Sequence, residues 1–529
     1  MTGQAASAEA LVGSQASAAG FRSILFGGRD AKPGTDELAA PDYFVDLNLD
    51  QVVAAITATK EAYELTGFFH APLDDVDVVN YRQAVFQDVE RPAVHSVLTS
   101  FAAAMRTMGG HLRRSRKEHY HYQQQRWFLD AALGYCDAAA DLTRGLEQAG
   151  PTSRGLLGMH RYLADYVHSG PFTGLREEAR ELRRRLEVLR YNLHIKANRV
   201  TVGRYDDEPD YASDVTKTFE RFQQRTPTQQ TGKRSSPGAM NHVEAQVLER
   251  VATLFPDLFA SLDAFCQRHR GYLDRTISVF DREIQFYIAY LDYIAPLRGA
   301  GLTLSYPTLS ASSKQENAVN TFDVALAAQL VRDGQPVVPN DVHLTDSERI
   351  LVLSGPNNGG KTTLARTVGE LHYLAKLGCP VPGSDVRLFL CDEIFTHFEK
   401  EEDIATLAGK LQEELTRMRG HFDRATPRSL MIMNEMFGST TAQDALLLSQ
   451  EILRRVSDLD ALAVCVTFLD ELACFNDKTV SMVSTVLPED PATRTYTLVR
   501  KPADGKAYAQ ALAEKYGLSY EILSRRLHS

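Results

Sequence analysis

Long apolar runs are missing from this sequence. No stretch approaches the roughly 18 residues that a membrane helix needs, so a membrane-spanning protein is not expected. The opening residues, MTGQAASAEALVGSQASAAG, have neither a basic start nor a long apolar centre, which argues against a secretory signal. Cysteine is sparse. The six cysteines (136, 266, 379, 391, 465 and 474) are scattered without C-x-x-C spacing, which excludes a disulfide frame and a thiolate zinc site. They read as small core residues or free thiols in a reducing compartment, and the expected location is the cytoplasm, with nucleoid association an option. Positive charge is outweighed: 58 Lys and Arg stand against 68 Asp and Glu, for a net charge of -10. That excludes a protein coating nucleic acid uniformly but leaves room for a local basic face. With 529 residues and 44 % apolar content, the chain can bury several cores. Roughly two to four domains are expected.

What is present is concentrated in RILVLSGPNNGGKTTLART, residues 349–367. A short apolar strand (Ile350 to Leu353) leads into a glycine-rich turn and then a helix. Gly355, Gly360, Lys361 and Thr362 fit G-x-x-x-x-G-K-[ST], the nucleotide-binding P-loop. Glycines let successive backbone N–H groups turn inward toward phosphate oxygens, and the start of the following helix adds its positive end. The nucleotide-binding candidates are Gly355, Pro356, Asn357, Asn358, Gly359, Gly360, Lys361, Thr362 and Thr363. Lys361 is expected to reach the β- and γ-phosphates of ATP, and the Thr362 hydroxyl to hold Mg²⁺.

Upstream, the chain reads as mainly helical. Residues 1–40 are rich in Ala, Ser and Gly and are expected to be flexible. Helical periodicity begins near Asp46 and is expected to stop at Thr66-Gly67. It resumes after Pro72 through about Glu90, then over Val94 to Met108, Tyr122 to Gln148 and Leu156 to Val167. Residues 111–126 carry Arg113, Arg114, Arg116, Lys117 and Arg126 among tyrosines, a pattern that suits either DNA phosphates or a solvated helix face. Leu175 to Arg190 reads as an exposed helix held by i,i+4 pairs, Asn192 to Val202 as a strand, and residues 204–237 as a polar tip. Helices follow from Val243, the last ending at Pro296, and residues 299–347 read as a connector with short strand-like pieces. Beyond the P-loop, strand-like runs at 386–390, 430–433, 461–467, 480–487 and 495–499 alternate at first with helices, notably Ile404, Leu407, Leu411, Leu415 and Met418 on one face. That alternation implies a mostly parallel sheet with covered faces. The expected organisation is a flexible segment 1–40, a helical domain 41–298 and an α/β nucleotide-binding domain 299–529.

Hydrolysis needs acids beside the phosphates. RSLMIMNEMFGSTTAQDALLLS (428–449) places Asn434 and Glu435 at the carboxyl end of a strand, where such sheets hold their ligands. Glu435 is the candidate general base or water positioner. Asn434 is a weaker second metal ligand beside Thr362, since an amide oxygen carries no charge. Ser439, Thr440 and Thr441 precede a helix and can either cap it or meet a phosphate.

GPNNGGKTT (355–363), NEMFGSTTAQDA (434–445) and CVTFLDELA (465–473) are similar, in order and spacing, to the ATPase domain of the MutS mismatch-repair family. VVPNDVHL (337–344) and IFTHF (394–398) support the resemblance, which covers about residues 320–515 well and the helical half only loosely. The resemblance implies an ABC-type ATPase domain behind a helical core and lever domain. It implies a homodimer with ATP and Mg²⁺ sandwiched between one subunit's P-loop and the other's Ser439, Thr440 and Thr441. It also implies duplex or branched DNA encircled by the helices, in repair or recombination. Three departures stand out. Asn434 occupies the family's Walker B aspartate position, and Phe468 that of its switch histidine, so slow hydrolysis is expected. No F-x-E motif lies near the amino terminus, and only about 40 loosely composed residues precede the helices, so the family's mismatch-reading domain is not expected. The alternative is a nucleotide-dependent dimerisation or scaffold protein without DNA binding.

Overall fold

A computed structural model of the chain describes residues 21–27, 38–196, 199–207, 240–399, 409–487 and 489–503. Most of the expected flexible segment, nearly all of the expected tip at 204–237, and Ile404 and Leu407 lie outside these. By packing, the described residues form two compact units: those within 96–150 and 159–281, and those within 21–95, 151–158 and 282–503. The units are thus interleaved along the chain, where a cut at residue 298 expects consecutive ones.

The second unit carries a six-stranded sheet in the order Ile394–His397, Leu430–Asn434, Leu462–Val466, Ile350–Ser354, Thr479–Leu487, Asp490–Arg500. The first five strands run parallel and the last is antiparallel. Parallel strands are covered on both faces, which is why ILVLS and LAVCV are buried throughout with no polar alternation. One face packs Met418, Met431, Met433, Leu453 and Val456. The helix Lys361–Lys376 packs across Ile432 and, on its far side, against Tyr43, Phe44 and Phe69, with Tyr373 donating to Phe69 O at 2.8 Å. Almost all of this helix is therefore buried, and several of its buried polar side chains are paired. His372 meets Glu316 at 3.0 Å; burial lowers the imidazole pKa, but Glu316 and Cys391 together outweigh it and raise the value to about 10. Lys376 donates to Cys391 O (2.6 Å) and Asp392 O (2.7 Å). Just past the helix, the fully buried Arg82 donates to Leu377 O and to Leu25 O, seating the amino-terminal segment against the same core. The helix that follows the glycine turn is thus held along its length.

Residues 299–347 are more than a connector. They supply three strands of a four-stranded sheet (Thr308–Ser310, Ser384–Phe389, Glu316–Thr321, Asn340–Leu344) and a helix, Val324–Arg332. Thr66-Gly67 does not stop a helix. Leu49–Thr57 has already ended, and Thr66–Phe69 is a new helical turn because Phe68 and Phe69 bury against Phe286. Pro296 does not end its helix, which runs Arg275–Gly299; proline in the last turn forfeits one hydrogen bond while buried Leu297 holds the turn in place.

In the first unit, helices Pro92–Lys117, His121–Ala149, Arg154–Val167, Gly170–Glu187 and Arg275–Gly299 contribute residues, and three of them also have residues in the second unit. The Val94 helix continues to Lys117, so the basic residues 113–117 form its final turns. The single strand expected over 192–202 is an antiparallel pair, Tyr191–Lys196 with Arg199–Arg204. The apolar face expected from Val247 to Leu262 breaks at Phe255-Pro256 into two helices, because proline suits a first turn and not a helix interior. All six cysteines are free, Cys474 alone being exposed.

Candidate functional site

The glycine turn joins the central strand Ile350–Ser354 to the buried helix Lys361–Lys376. Its conformation demands glycine in places. Gly355 (φ 111°) and Gly360 (φ 89°) adopt left-handed backbone angles, and a Cβ on Gly359 would lie 2.1 Å from Ser484 Oγ. Ser484 donates to Gly359 O at 2.7 Å, and Arg494 Nε donates to Asn357 O at 3.0 Å. Arg494 is carried by the outermost strand, which Asn340 grips by accepting from Leu498 N (2.7 Å) and donating to Tyr496 O (3.1 Å). Asn340 belongs to VVPNDVHL, so that stretch meets the P-loop through the last strand. Gly360 precedes the helix without a side-chain cap, which leaves the first N–H groups open to an anion.

Lys361 lies inside this turn. It is almost wholly buried, and its Nζ donates to Gly355 O and Pro356 O, both at 2.9 Å. Burial lowers its pKa to about 8; Glu435 pulls it up and Arg494 pushes it further down. The ring of Phe468 lies 4.2 Å from Nζ. Thr362 donates from Oγ1 to Asn434 Oδ1 at 2.9 Å. The chain thus brings Thr362 and Asn434, 72 positions apart, into direct contact. The donor set is a hydroxyl and a neutral amide oxygen. It suits a Mg²⁺ ion whose charge is balanced mainly by phosphate, and among the described residues no cluster of three or more His, Cys, Asp or Glu could hold a metal alone.

Glu435 follows immediately and sits in the left-handed region, at φ 52°, with its N–H bonded to Val466 O at 2.9 Å. Such a backbone costs a non-glycine residue about 1–3 kcal/mol and persists only where surroundings enforce it. Here Met436 and Phe437, the latter also left-handed, are buried in the core. Anchoring them turns the chain sharply at Glu435. Its carboxyl pKa is raised by burial, lowered by Lys361 and raised by Glu399. Parallel pairing sets His397 beside Met433, so Glu399 follows its strand toward the level of Glu435.

Ser439 and Thr441 are exposed and Thr440 half-buried. Thr441 caps the helix Ala442–Leu459, accepting from Asp444 N at 3.2 Å and donating to Asp444 Oδ2 at 2.9 Å. No described hydrogen bond joins these hydroxyls to the glycine turn of the same chain. Phe468 is half exposed between anchored neighbours: Thr467 N donates to Leu353 O (3.0 Å), and Leu469 N to Thr467 Oγ1 (2.9 Å). In IFTHF, His397 is buried and accepts at Nδ1 from Arg417 Nε at 3.1 Å. Ser484, Arg494, Glu399 and Arg417 carry no motif, and only the sheet order brings the first three toward the turn or Glu435.

The family description MutS domain V matches residues 351–526. Endonuclease MutS2 of Thermomicrobium roseum is 31% identical over 199 residues, which is 36% of this chain and 25% of that protein. DNA mismatch repair protein MutS of Bacillus velezensis is 28% identical over 199 residues, 37% of this chain and 23% of that protein. The MutS of Streptococcus thermophilus is 25% identical over 309 residues, 57% of this chain and 35% of that protein. The matched part spans a quarter to a third of the length of these relatives. The glycine turn, the Asn434–Glu435 strand end and the hydroxyl segment all lie inside the matched region, and through it the chain carries a MutS domain V.

Proposed function

We propose that the protein is an ABC-type ATPase that binds ATP with Mg²⁺, pairs with a second copy, and couples closure of the pair to movement of helices that bind duplex or branched DNA in repair or recombination. The contact of Thr362 with Asn434 beside the buried Lys361 carries this reading, because it assembles the two ends of a phosphate site from separate strands. Backbone N–H groups of residues 357–363 cradle the phosphates, and Lys361 balances their charge. Bound Mg²⁺ supplies electrostatic neutralisation of the phosphate oxygens, with Thr362 and Asn434 as its protein ligands. Glu435 orients a water and accepts its proton; the raised carboxyl pKa makes it a better base than an exposed glutamate. Phe468 has no hydrogen-bonding group to offer the γ-phosphate and Asn434 no charge, so turnover is slow.

Completing the site requires a second chain, since Ser439, Thr440 and Thr441 make no described contact with their own glycine turn. In this reading they reach the γ-phosphate held by the partner. Thr441→Arg is expected to lower ATP hydrolysis at least about tenfold with ATP affinity little changed, in line with loss of a phosphate-stabilising group. Mixed with Lys361→Ala protein, it is expected to regain activity, because one composite site is then intact. Steady-state ATPase assays of each variant and of the mixture check this, and a mixture no more active than its parts refutes sharing of sites.

The DNA part of the reading rests on the first unit. Arg113, Arg116 and Lys117 are exposed at the end of their helix, and among the described residues none of them forms an ion pair. Arg114 stacks over Trp127 at 4.9 Å. Binding of duplex and branched DNA, followed by fluorescence anisotropy, is expected to weaken by about 10²-fold or more between 50 and 200 mM salt if several phosphates are contacted. Absence of binding at low salt, with nucleotide-dependent dimerisation intact, favours the scaffold reading.

A further inference from the structure

We infer that Phe468 is a latch on the nucleotide site: its ring, with the carbonyls of Gly355 and Pro356, holds Lys361 in a retracted position that a polyphosphate must break before it can bind. The inference rests on the reading of this turn as a nucleotide site. An ammonium has three N–H donors. Two of those on Lys361 are taken by Gly355 O and Pro356 O at 2.9 Å each, which leaves one directed to the ring face 4.2 Å away. All three donors are thus satisfied inside the turn, and the lysine is 4 % exposed. A cation over a benzene face is held by the ring quadrupole, and the attraction strengthens as the pair is desolvated.

The latch is a side-chain device. Thr467 and Leu469 pin the backbone on either side of Phe468 through Leu353 O and Thr467 Oγ1, so release needs rotation of the ring and no loop movement. Half of the ring already faces solvent, which leaves it room to turn outward. What keeps the ring over Lys361 is its attraction to the ammonium, since an exposed phenyl gains little from burial. The apparent affinity for a polyphosphate is then the affinity of the open turn multiplied by the fraction of molecules unlatched. Phe468 is a positioning residue in this scheme: it acts on phosphate through Lys361.

The test is isothermal titration of the full chain with Mg·ATP and with inorganic tripolyphosphate, which lacks a base. Phe468→Leu keeps an apolar side chain of similar bulk and removes the ring face; Phe468→Ala removes both. Both are expected to bind each ligand about threefold to tenfold more tightly than wild type, the range set by cation–π attraction. Phe468→Tyr keeps the ring and is expected to bind as wild type. Tighter binding of ATP and tripolyphosphate alike by the leucine variant, with an unchanged melting temperature, supports the latch. Equal or weaker binding by a folded leucine variant overturns it while leaving the nucleotide site intact. If wild type binds neither ligand and Lys361→Ala changes nothing, the nucleotide reading itself fails.

Discussion

Glu435→Gln is expected to keep ATP binding and lose about 10²- to 10⁴-fold in turnover, the range that a positioned general base contributes. Glutamine preserves size and the left-handed turn at φ 52°, and it removes only the basic carboxylate. The strand end has no second acid in sequence, because Asn434 stands where an aspartate could share the work. Glu399 is drawn toward Glu435 by strand register, yet its carboxylate is paired with Lys410. The variant is therefore expected to accumulate ATP-bound dimer. Single-turnover hydrolysis combined with size-exclusion chromatography in ATP checks both parts. Turnover equal to or faster than wild type removes Glu435 as the base.

Lys361→Ala is expected to weaken ATP binding by about a hundredfold, as for truncation of one partner of a buried charge pair. The loss has one source and one partial offset. The ammonium that balances phosphate charge disappears, and this outweighs the gain from no longer having to break its bonds to Gly355 O and Pro356 O, 2.9 Å each, on binding. Glu435 also loses the nearby positive charge that lowers its carboxyl pKa, so the variant's carboxyl is further raised. Equilibrium titration with a fluorescent ATP analogue measures the effect, and unchanged affinity contradicts the assignment of the turn.

Lys361 and Glu435 were both legible from spacing, for the same reason. A glycine turn between an apolar strand and a helix, and an acid at a strand end, are local patterns written in consecutive residues. Strand positions beyond the turn were legible too: 430–433, 461–467 and 480–487 correspond to Leu430–Asn434, Leu462–Val466 and Thr479–Leu487. The strand Ile394–His397 was visible only as a piece of a family resemblance, being four residues long and flanked by charge. Local pattern misled where burial decided the outcome. Phe68 and Phe69 make a helical turn at Thr66-Gly67 because Phe286 covers them, and Leu297 keeps a helix going past Pro296. Residues 299–347 looked like a connector because two of their strands pair with Ser384–Phe389, which lies beyond the glycine turn.

By itself, then, the amino-acid order determined the glycine turn and the acid at the strand end, since both depend on backbone freedom and apolar pattern over a dozen consecutive positions. Tertiary structure alone decided what surrounds them. Ser484 and Arg494 reach the turn because the strands that carry them lie next to or near the P-loop strand, more than a hundred positions away in the chain. The placement of Phe468 over Lys361 has the same origin: adjacent parallel strands end at one level, and side chains distant in sequence are thereby set within a few ångströms of each other.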